Sequence, residues 1–325
     1  MLLLRSPESK LIVVELSGKA RSGKGTVCAG LAEAFPSSAS DETGADYRAA
    51  TWGLIHEGRL DPEMTKEQVG NVVSTLDRLE IVDYVARRYE IVAEHSKDAL
   101  HTPEVDTLVK YVSPFDLVRS AVKGGFARRV KVHVDDPNTR MLFVDGRKLE
   151  PVIKKVKHAE YLVGLFVDCQ PSEAVRREYL RSGLELSGDE KDAWYRETLA
   201  SIVSRNNEDQ NRKKDPARKD KDALNYWFDP DIQGETVEYW KELYGISYVE
   251  ALEMFTPLAG KGTFREGGRF GAGAKAFTEG KQIYFDTSEI DKTRMVEFAQ
   301  RIVTEALLAR KGRYHAYSDT LLEAA

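Results

Sequence analysis

The chain has 325 residues, of which 42% are hydrophobic and 31% are charged, and its formal net charge at pH 7 is −5. A chain of this length can bury a large core in one domain or in two. The composition is typical of a globular protein, and the slightly negative charge excludes the broad basic surface that nucleic-acid-binding proteins carry. We therefore expect a globular protein that binds no nucleic acid.

The cysteines and the apolar runs bear on the cellular location of the protein. Cys28 and Cys169 lie far apart in apolar stretches, which is too few for a disulfide framework and the wrong spacing for zinc. The histidines are scattered, so no zinc or iron site is expected. The apolar run at residues 2–4 is too short for a signal peptide, and no stretch approaches the roughly 18 apolar residues of a membrane span. We predict two buried thiols, no membrane contact and a cytoplasmic location.

The first predicted elements are a strand and a helix. Residues 11–16 are an apolar run interrupted only at Glu15, which predicts a buried strand that ends at Ser17. A helical pattern begins at Thr26 and stops at Pro36, because proline cannot continue a helix.

The later segments alternate between helix and strand patterns. In chain order they predict a helix at 45–55, a hairpin from 79–85 and 88–92, a helix at 105–122, strands at 141–144 and 161–167, helices at 173–180 and 191–207, a strand at 283–285 and a helix at 292–309. This alternation indicates a parallel sheet covered by helices on both faces. Residues 259–280 contain seven glycines and predict a loop.

The strongest motif spans residues 18–26 and matches G-x-x-x-x-G-K-x-T. Its glycines let the backbone point successive N–H groups at phosphate oxygens, and the following helix offers its positive end. A glycine-rich turn without a ligand is disfavoured, because a buried strand precedes the motif and an amphipathic helix follows it. Lys24 would reach the β- and γ-phosphates, the Thr26 hydroxyl would bind Mg²⁺, and Lys19 and Arg21 either touch phosphate or are solvated. The predicted ATP-binding residues are Gly18, Lys19, Ala20, Arg21, Ser22, Gly23, Lys24, Gly25 and Thr26.

Segments after this loop resemble those of one enzyme family. Residues 42–52 resemble the acceptor-site segment of the cytidylate kinases, in which a small hydroxyl residue, Gly, Ala, any residue and Tyr-Arg follow the phosphate loop. The further matching segments, in the family's order, are Thr102-x-Glu104-Val105, residues 115–119, Asp145-Gly146-Arg147, Ser172-Glu173 with Arg177, Arg205-Asn206-x-x-Asp209-x-x-Arg212-x-x-x-Pro216 with Asp222-Ala223, and Phe285-Asp286-Thr287. The resemblance covers residues 11–224 and 283–309.

The resemblance implies a P-loop NTPase fold, which is an α/β three-layer sandwich with a parallel sheet and small acceptor-binding and lid subdomains. The implied division is a core at 1–48 and 119–176, a nucleoside-monophosphate-binding subdomain at 49–118, a lid at 177–224, an insertion at 225–281, and the last strand and helix of the core at 282–325. The insertion lengthens the chain relative to the family. Its aromatic first half is expected to pack as a small helical subdomain, either as a protein-binding surface or as a passive addition.

Phosphoryl transfer needs dispersed positive charge around the transferring oxygens more than it needs a strong base. The arginines at 177, 205 and 212 would close over the bridging phosphates and exclude water, and Asp209 would orient two of them. The alternative for Arg205, Asp209 and Arg212 is that they form only a solvent-exposed row of charges along one helix. The predicted catalytic residues are Lys24, Arg177, Arg205, Asp209 and Arg212.

On the acceptor side, the resemblance implies a monophosphate pocket with arginines that bind the phosphate or the base edge. Tyr47 is alternatively a packing residue, and Arg147 is alternatively part of a structural ion pair. The predicted acceptor-binding residues are Thr43, Tyr47, Arg48, Lys110, Arg119, Arg147 and Lys148.

The sequence departs from the family at three of these functional positions. Ser17 replaces an acidic residue before the loop, Lys110 replaces a serine, and Lys148 replaces an aspartate that helps to read cytosine. A lysine cannot accept a hydrogen bond from the exocyclic amine of cytosine. Three explanations remain open: the local alignment slips, Glu150 acts as the acceptor, or the acceptor nucleotide is not CMP.

The function that we predict is transfer of the ATP γ-phosphate to a nucleoside monophosphate, CMP or dCMP in the first place, with Mg²⁺ as the metal. The partners are then small-molecule nucleotides. The alternatives are a related P-loop kinase that acts on another small molecule, and a nucleotide-binding regulatory module without catalytic activity.

Overall fold

The computed structural model of the chain describes residues 10–211, 220–229, 263–265, 272–288 and 290–311. Arg212 and most of the predicted insertion at 225–281 lie outside these residues. The small helical subdomain expected in the first half of that insertion is wrong at its start, where Tyr226 and Trp227 belong to a strand, and the remainder of that half lies outside the described residues. No helix in the described ranges is both long and apolar enough to cross a membrane.

Seven strands form one sheet within the described residues, in the order β2-β3-β1-β4-β7-β5-β6. The strands are β1 (Leu11–Gly18), β2 (Ser38–Glu42), β3 (Met141–Asp145), β4 (Ala159–Asp168), β5 (Leu224–Asp229), β6 (Thr263–Arg265) and β7 (Ile283–Asp286). Neighbouring strands are parallel from β2 to β5, and β6 pairs with β5 in the antiparallel sense. The central strand β1 is buried along its whole length, because β3 and β4 flank it and helices cover both faces.

Helices flank the sheet on both sides. The helices are α1 (Lys24–Ala34), α2 (Gly44–His56), α3 (Lys66–Ser74), α4 (Arg78–Ala86), α5 (Arg88–His95), α6 (Pro103–Val112), α7 (Asp116–Asp135), α8 (Glu150–Ile153), α9 (Pro171–Ser182), α10 (Gly188–Asn211), α11 (Ala272–Glu279) and α12 (Lys292–Arg310). A short 3₁₀ helix spans Lys97–His101.

Alternate residues of β1 enter two different cores. Ile12 and Val14 pack in one cluster with residues of α1 and α12, whereas Leu11 and Val13 pack in another with residues of α7 and α8. Successive side chains of a strand point to opposite faces, so helices cover the sheet on both sides. The predicted three-layer α/β fold is confirmed.

A third apolar cluster lies among helices alone. It joins α2, α3, α4, α6 and the first half of α7 around Leu54, Ile81 and Val112. This helical body overlaps residues 49–118 and extends beyond them at both ends, and the division at these bounds and its role in binding the acceptor stay a prediction. A smaller cluster lies between α9 and α10, around Val175 and Ile202. These two helices overlap the stretch 177–224, for which a lid stays a prediction.

The hairpin predicted from residues 79–85 and 88–92 is wrong, since both stretches are helical. Asp77 and Glu80 form a capping box: the Asp77 carboxylate accepts from the backbone N–H of Leu79, and the Glu80 carboxylate accepts from that of Asp77. The buried residues of α4, Ile81 and Tyr84, recur at helical spacing. The cap and this spacing outweigh the apparent alternation of apolar residues.

Two other predicted elements also need correction. The single helix expected at 105–122 is two helices, because the chain breaks between α6 and α7 at Ser113-Pro114. The loop expected at 259–280 contains β6 and α11, whose three alanines favour a helix despite the neighbouring glycines. The described parts of the segment 225–281 therefore extend the sheet and add Ala276 to its core.

A buried network of four charges joins the sheet to the helical body. Arg88 donates to Asp41 at 2.7 Å and to Asp46 at 2.9 Å, and Arg129 donates to the same two carboxylates at 2.9 and 2.6 Å. These residues lie on α5, β2, α2 and α7, and the aspartate side chains are at most 1% exposed. Removal of one partner would leave a buried charge without compensation.

We expect the substitution Arg88→Met to lower the free energy of unfolding by about 3–5 kcal/mol, because Asp41 and Asp46 would keep only one arginine between them. The matched control is Arg87→Met. The neighbouring Arg87 pairs with Asp83 and Glu90 on the surface, so its loss should cost less than about 1 kcal/mol. Urea unfolding measures both values, and equal losses would contradict the network's structural role.

Candidate functional site

The phosphate loop begins where β1 ends. Gly18 has φ 142°, and a Cβ on it would lie 1.9 Å from the carbonyl oxygen of Val167 on β4. Gly23, with φ 95°, adopts the left-handed conformation immediately before α1. Both positions therefore require glycine, which explains why the motif places glycines there.

Lys24 folds across the loop. Its ammonium donates to the carbonyl oxygen of Lys19 at 2.7 Å, and the hydroxyl of the buried Ser22 donates to the same oxygen at 3.0 Å. Burial lowers the pKa of Lys24, while the nearby carboxylate of Asp145 acts in the opposite direction. The cation thus lies inside the curve of the loop, where a phosphate group would neutralise it.

The other two cations of the loop are engaged in ion pairs. Lys19 pairs with Asp168 at the end of β4 at 2.8 Å, and Arg21 pairs with Glu178 of α9 at 3.1 Å. The backbone N–H of Ala20 donates to the Asn206 side chain of α10 at 3.0 Å. The helices α9 and α10 therefore contact the loop directly.

Charged groups from three elements converge beside Lys24. Asp145 ends β3, the strand next to β1, and burial raises its pKa while Lys24 and Arg147 lower it. Arg205 and Asp209 of α10 also act on the pKa of Lys24. The parallel register brings the carboxyl ends of β1 and β3 to one edge of the sheet, which accounts for this convergence.

Arg147 and the predicted lid residues meet in this cluster. The Arg147 guanidinium donates to the Asp209 carboxylate at 2.7 Å, and the Asp209 side chain is 5% exposed. The Arg205 side chain is exposed, and Arg212 lies outside the described residues. Arg147 thus forms a structural ion pair, which was the alternative to its role in binding the acceptor, and this pair links the turn after β3 to α10.

Arg177 lies apart from this cluster. Its guanidinium donates to the carbonyl oxygens of Ser22 and Ile290, both at 3.3 Å, and to the side chain and the carbonyl oxygen of Thr287. Its Nε donates to Glu173 at 2.8 Å. These contacts tie the phosphate loop to the segment after β7, and they account for every N–H of the side chain.

Thr43 lies beside the end of β3. Its backbone N–H and its hydroxyl donate to the carbonyl oxygen of Asp145 at 2.9 and 3.2 Å, and the residue is 6% exposed. The helix α2 therefore starts next to the turn that carries Arg147. Arg48, one turn further along α2, donates to the Leu100 carbonyl at 3.1 Å and pairs with the Asp106 carboxylate.

The other predicted acceptor residues lie in or near the helical body. Tyr47 is half-buried against its apolar cluster, and Arg119 is buried with its Nε donating to the Ser113 carbonyl at 3.1 Å. Lys110 is exposed, with its ammonium 4.8 Å from the ring centroid of Tyr111.

Lys148 and Asp220 form an ion pair that the sequence did not predict. Lys148 follows Arg147 in the turn and has φ 54°, and its ammonium contacts the Asp220 carboxylate. Glu150, the other residue that could accept a hydrogen bond from the cytosine amine, instead pairs with Lys154 at 2.6 Å. Asp145 and Asp220 are charged residues of this region that were not among the predicted site residues. The position of Asp145, at a strand end next to the strand that leads into the phosphate loop, is a sequence signal that indicates it.

Comparisons with known proteins place the sequence of this chain among known enzymes. The sequence model described as cytidylate kinase matches residues 14–228. Among similar proteins, the cytidylate kinase of Aeromonas salmonicida is 29% identical over 213 residues, which cover 65% of this chain and 84% of that protein. Those of Citrobacter koseri and Clostridium perfringens are 28% and 26% identical, cover 65% and 66% of this chain, and are themselves covered to 86% and 89%.

The family match includes the phosphate loop, the acceptor-side helices, the turn after β3 and the described part of the lid. It spans more than half of the chain. The chain therefore belongs to the cytidylate kinase family of nucleoside monophosphate kinases.

Proposed function

We propose that this enzyme transfers the γ-phosphoryl group of ATP to CMP or dCMP. An oxygen of the acceptor phosphate forms a bond to the γ-phosphorus, the bond from that phosphorus to the β–γ bridging oxygen breaks, and the products are ADP and CDP or dCDP. The observation that supports this most directly is the convergence of Lys24, Arg147 and Arg205 at one sheet edge. Three cations in one partly enclosed site suit a group whose charge is spread over several oxygens.

The loop binds the triphosphate of ATP in this proposal. Lys24 would exchange its contact with the Lys19 carbonyl for the β- and γ-phosphates, while the loop N–H groups hold the remaining oxygens. The residues present fit Mg²⁺, which prefers oxygen ligands, because the Thr26 hydroxyl and the Asp145 carboxylate belong to the loop helix and the adjacent strand end. These two residues would hold the ion, whose charge offsets that of the phosphates.

The acceptor would bind at the turn after β3, with Arg147 on its phosphate. We assign the same role to Arg48 and Arg119 by resemblance, and we keep Thr43 as part of the pocket wall. Arg177 enters the proposal through the loop that it holds, since its N–H groups are engaged in protein contacts. Arg205 is the exposed guanidinium that would turn toward the transferring phosphoryl group.

The ion pair of Lys148 and Asp220 bears on the acceptor base. A lysine alone cannot accept the hydrogen bond of the cytosine amine, but the carboxylate beside it can. We therefore propose that Asp220, rather than Glu150, accepts the hydrogen bond from the cytosine amine. The same pair favours a second candidate, because the Lys148 ammonium would donate to the O4 carbonyl of uracil.

Lys24→Ala should reduce kcat at least about 100-fold while leaving the fold intact, because the cation inside the loop is lost. Lys66→Ala is the control, since Lys66 is exposed on α3 far along the chain from the loop. ADP release and circular dichroism measure the two effects. Undiminished turnover in the Lys24 variant would refute the donor site.

An acceptor panel of CMP, dCMP, UMP, AMP, GMP and dTMP tests the base. We expect the highest kcat/KM for CMP and dCMP in a coupled assay of ADP release. A preference for UMP would favour the second candidate, and tight ATP binding without ADP formation from any acceptor would favour a regulatory module.

The substitution Asp220→Ala should raise the KM for CMP about tenfold and leave the KM for ATP unchanged, because one hydrogen bond to the base is lost. Asp222→Ala is the matched control, because Asp222 is exposed two residues away. Steady-state kinetics with each substrate varied in turn separates the two KM values. Equal KM values for CMP in both variants would contradict the assignment.

A further inference from the structure

A carboxylate lies in the middle of the apolar strand β1. Glu15 is 4% exposed, although its neighbours in the strand belong to the hydrophobic cores. A buried carboxylate is costly unless hydrogen bonds compensate it. Glu15 accepts two such bonds, from the backbone N–H of Lys148 at 2.8 Å and from that of Leu149 at 2.9 Å.

These bonds hold the turn between β3 and α8. On the other side of the turn, the backbone N–H of Gly146 donates to the carbonyl oxygen of Leu16 at 2.9 Å. Lys148, in the left-handed region at φ 54°, is in a conformation that a side chain disfavours and that needs support from its surroundings. Both ends of the turn are thus attached to consecutive residues of β1.

The turn carries two cations that face the lid. Arg147 reaches Asp209 of α10, and Lys148 reaches Asp220. A shift of the backbone at 148 would move both side chains, since Arg147 is bonded to it covalently and has no backbone hydrogen bond of its own among the described contacts. The strand that ends in the phosphate loop therefore also sets the direction of Arg147.

We propose that Glu15 is a positioning residue of the acceptor site, whose carboxylate fixes the turn that directs Arg147 toward the acceptor phosphate. This inference rests on the proposed function of Arg147. Glutamate suits the role because its two oxygens match two successive N–H groups that point the same way, an arrangement that a left-handed residue creates. A glutamine would accept from one N–H group and turn its own amide N–H toward the other.

The titration of Glu15 supplies an independent signature. Burial raises its pKa to about 7, against the backbone N–H groups of 148–150 and the charge of Lys148, which lower it. The half-buried Tyr161 of β4 also interacts with Glu15 among the described residues, and it is neutral near pH 7 because burial and the nearby carboxylates raise its pKa. As the pH falls through 7, Glu15 takes up a proton and one of its oxygens becomes a donor, so its hold on the turn weakens.

The experiment compares Glu15→Gln with the wild-type enzyme at pH 8. We expect the acceptor KM to rise about tenfold, because one hydrogen bond to the turn is lost. The ATP KM should stay within about twofold, because the phosphate loop is unchanged. Glu33→Gln, an exposed glutamate on α1, is the matched control and should change neither value. An unchanged acceptor KM, or equal rises in both KM values, would overturn the proposal.

The pH profile and a double-mutant cycle separate positioning from a general loss of stability. The ratio of the variant's acceptor KM to that of the wild type should fall toward one between pH 8 and pH 6, and titration of the acceptor phosphate cancels in this ratio. In the Arg147→Met background, Glu15→Gln should add little to the acceptor KM, since both changes act through one side chain. Additive effects would contradict the proposal.

Amide hydrogen exchange distinguishes this inference from the proposed function. In Glu15→Gln, exchange in the peptide 146–150 should be about tenfold faster, while exchange in α1 stays unchanged. If exchange accelerates but Arg147→Met leaves the acceptor KM unchanged, the proposed role of Arg147 fails and the support of the turn by Glu15 stands. If exchange does not accelerate, the inference about Glu15 fails whatever the kinetics are. Glu15→Asp, which keeps the charge but shortens the reach, should give a smaller acceleration and serves if the glutamine variant does not fold.

Discussion

The repulsion among the cations beside the phosphate loop is the constraint on which the rest of the site depends. Burial lowers the pKa of Lys24, and the charges of Arg147 and Arg205 act in the same direction, because like charges close to a partly buried ammonium are unfavourable. The protein offsets them with Asp145 and Asp209, both largely enclosed. A polyphosphate would bring the same negative charge in a form that can be exchanged. In the proposed reaction, the phosphates of the bound nucleotide would compete with these carboxylates for the same cations.

The same strand serves both halves of the proposed reaction. β1 ends in the phosphate loop at Gly18, and its Glu15 side chain and Leu16 carbonyl hold the turn that carries Arg147. The acceptor-side helix α2 is held separately, because Asp46 in its first turn joins Asp41 of β2 through two arginines. The elements that we propose to bind ATP and the acceptor nucleotide are thus both held by one rigid part of the fold, the carboxyl edge of the sheet. Such rigidity matters because phosphoryl transfer depends on position more than on acid–base strength.

The parts of the fold that sequence reasoning predicted are those whose signals are local. The apolar run of β1 and the glycine spacing after it specify a strand and a loop within sixteen residues, and both are present. The hairpin expected at 79–92 failed, because a short amphipathic stretch satisfies both periods and the cap at Asp77 decides between them. Asp145 and Asp220 escaped prediction for a different reason. Their partners, Lys24 and Lys148, lie 121 and 72 residues away in sequence, so the strand-end position of Asp145 indicates the region of the site but not the partner of either carboxylate.

The departure at Lys148 is accompanied by a carboxylate from another element, which the proposed function uses in place of the family's aspartate. In the family that the sequence resembles, an aspartate occupies this position and reads the base. Here the position carries the opposite charge, but a carboxylate from residue 220 lies against it. Exchange of a charge for its opposite is tolerated when a counter-charge arrives from another element, since the pair remains neutral and still offers an acceptor oxygen. The acceptor oxygen then belongs to the end of the lid rather than to the turn. If Asp220 reads the base, recognition of the base and the attachment of this segment to the turn depend on the same carboxylate, because Asp220 can accept from the cytosine amine only by sharing its oxygens with Lys148.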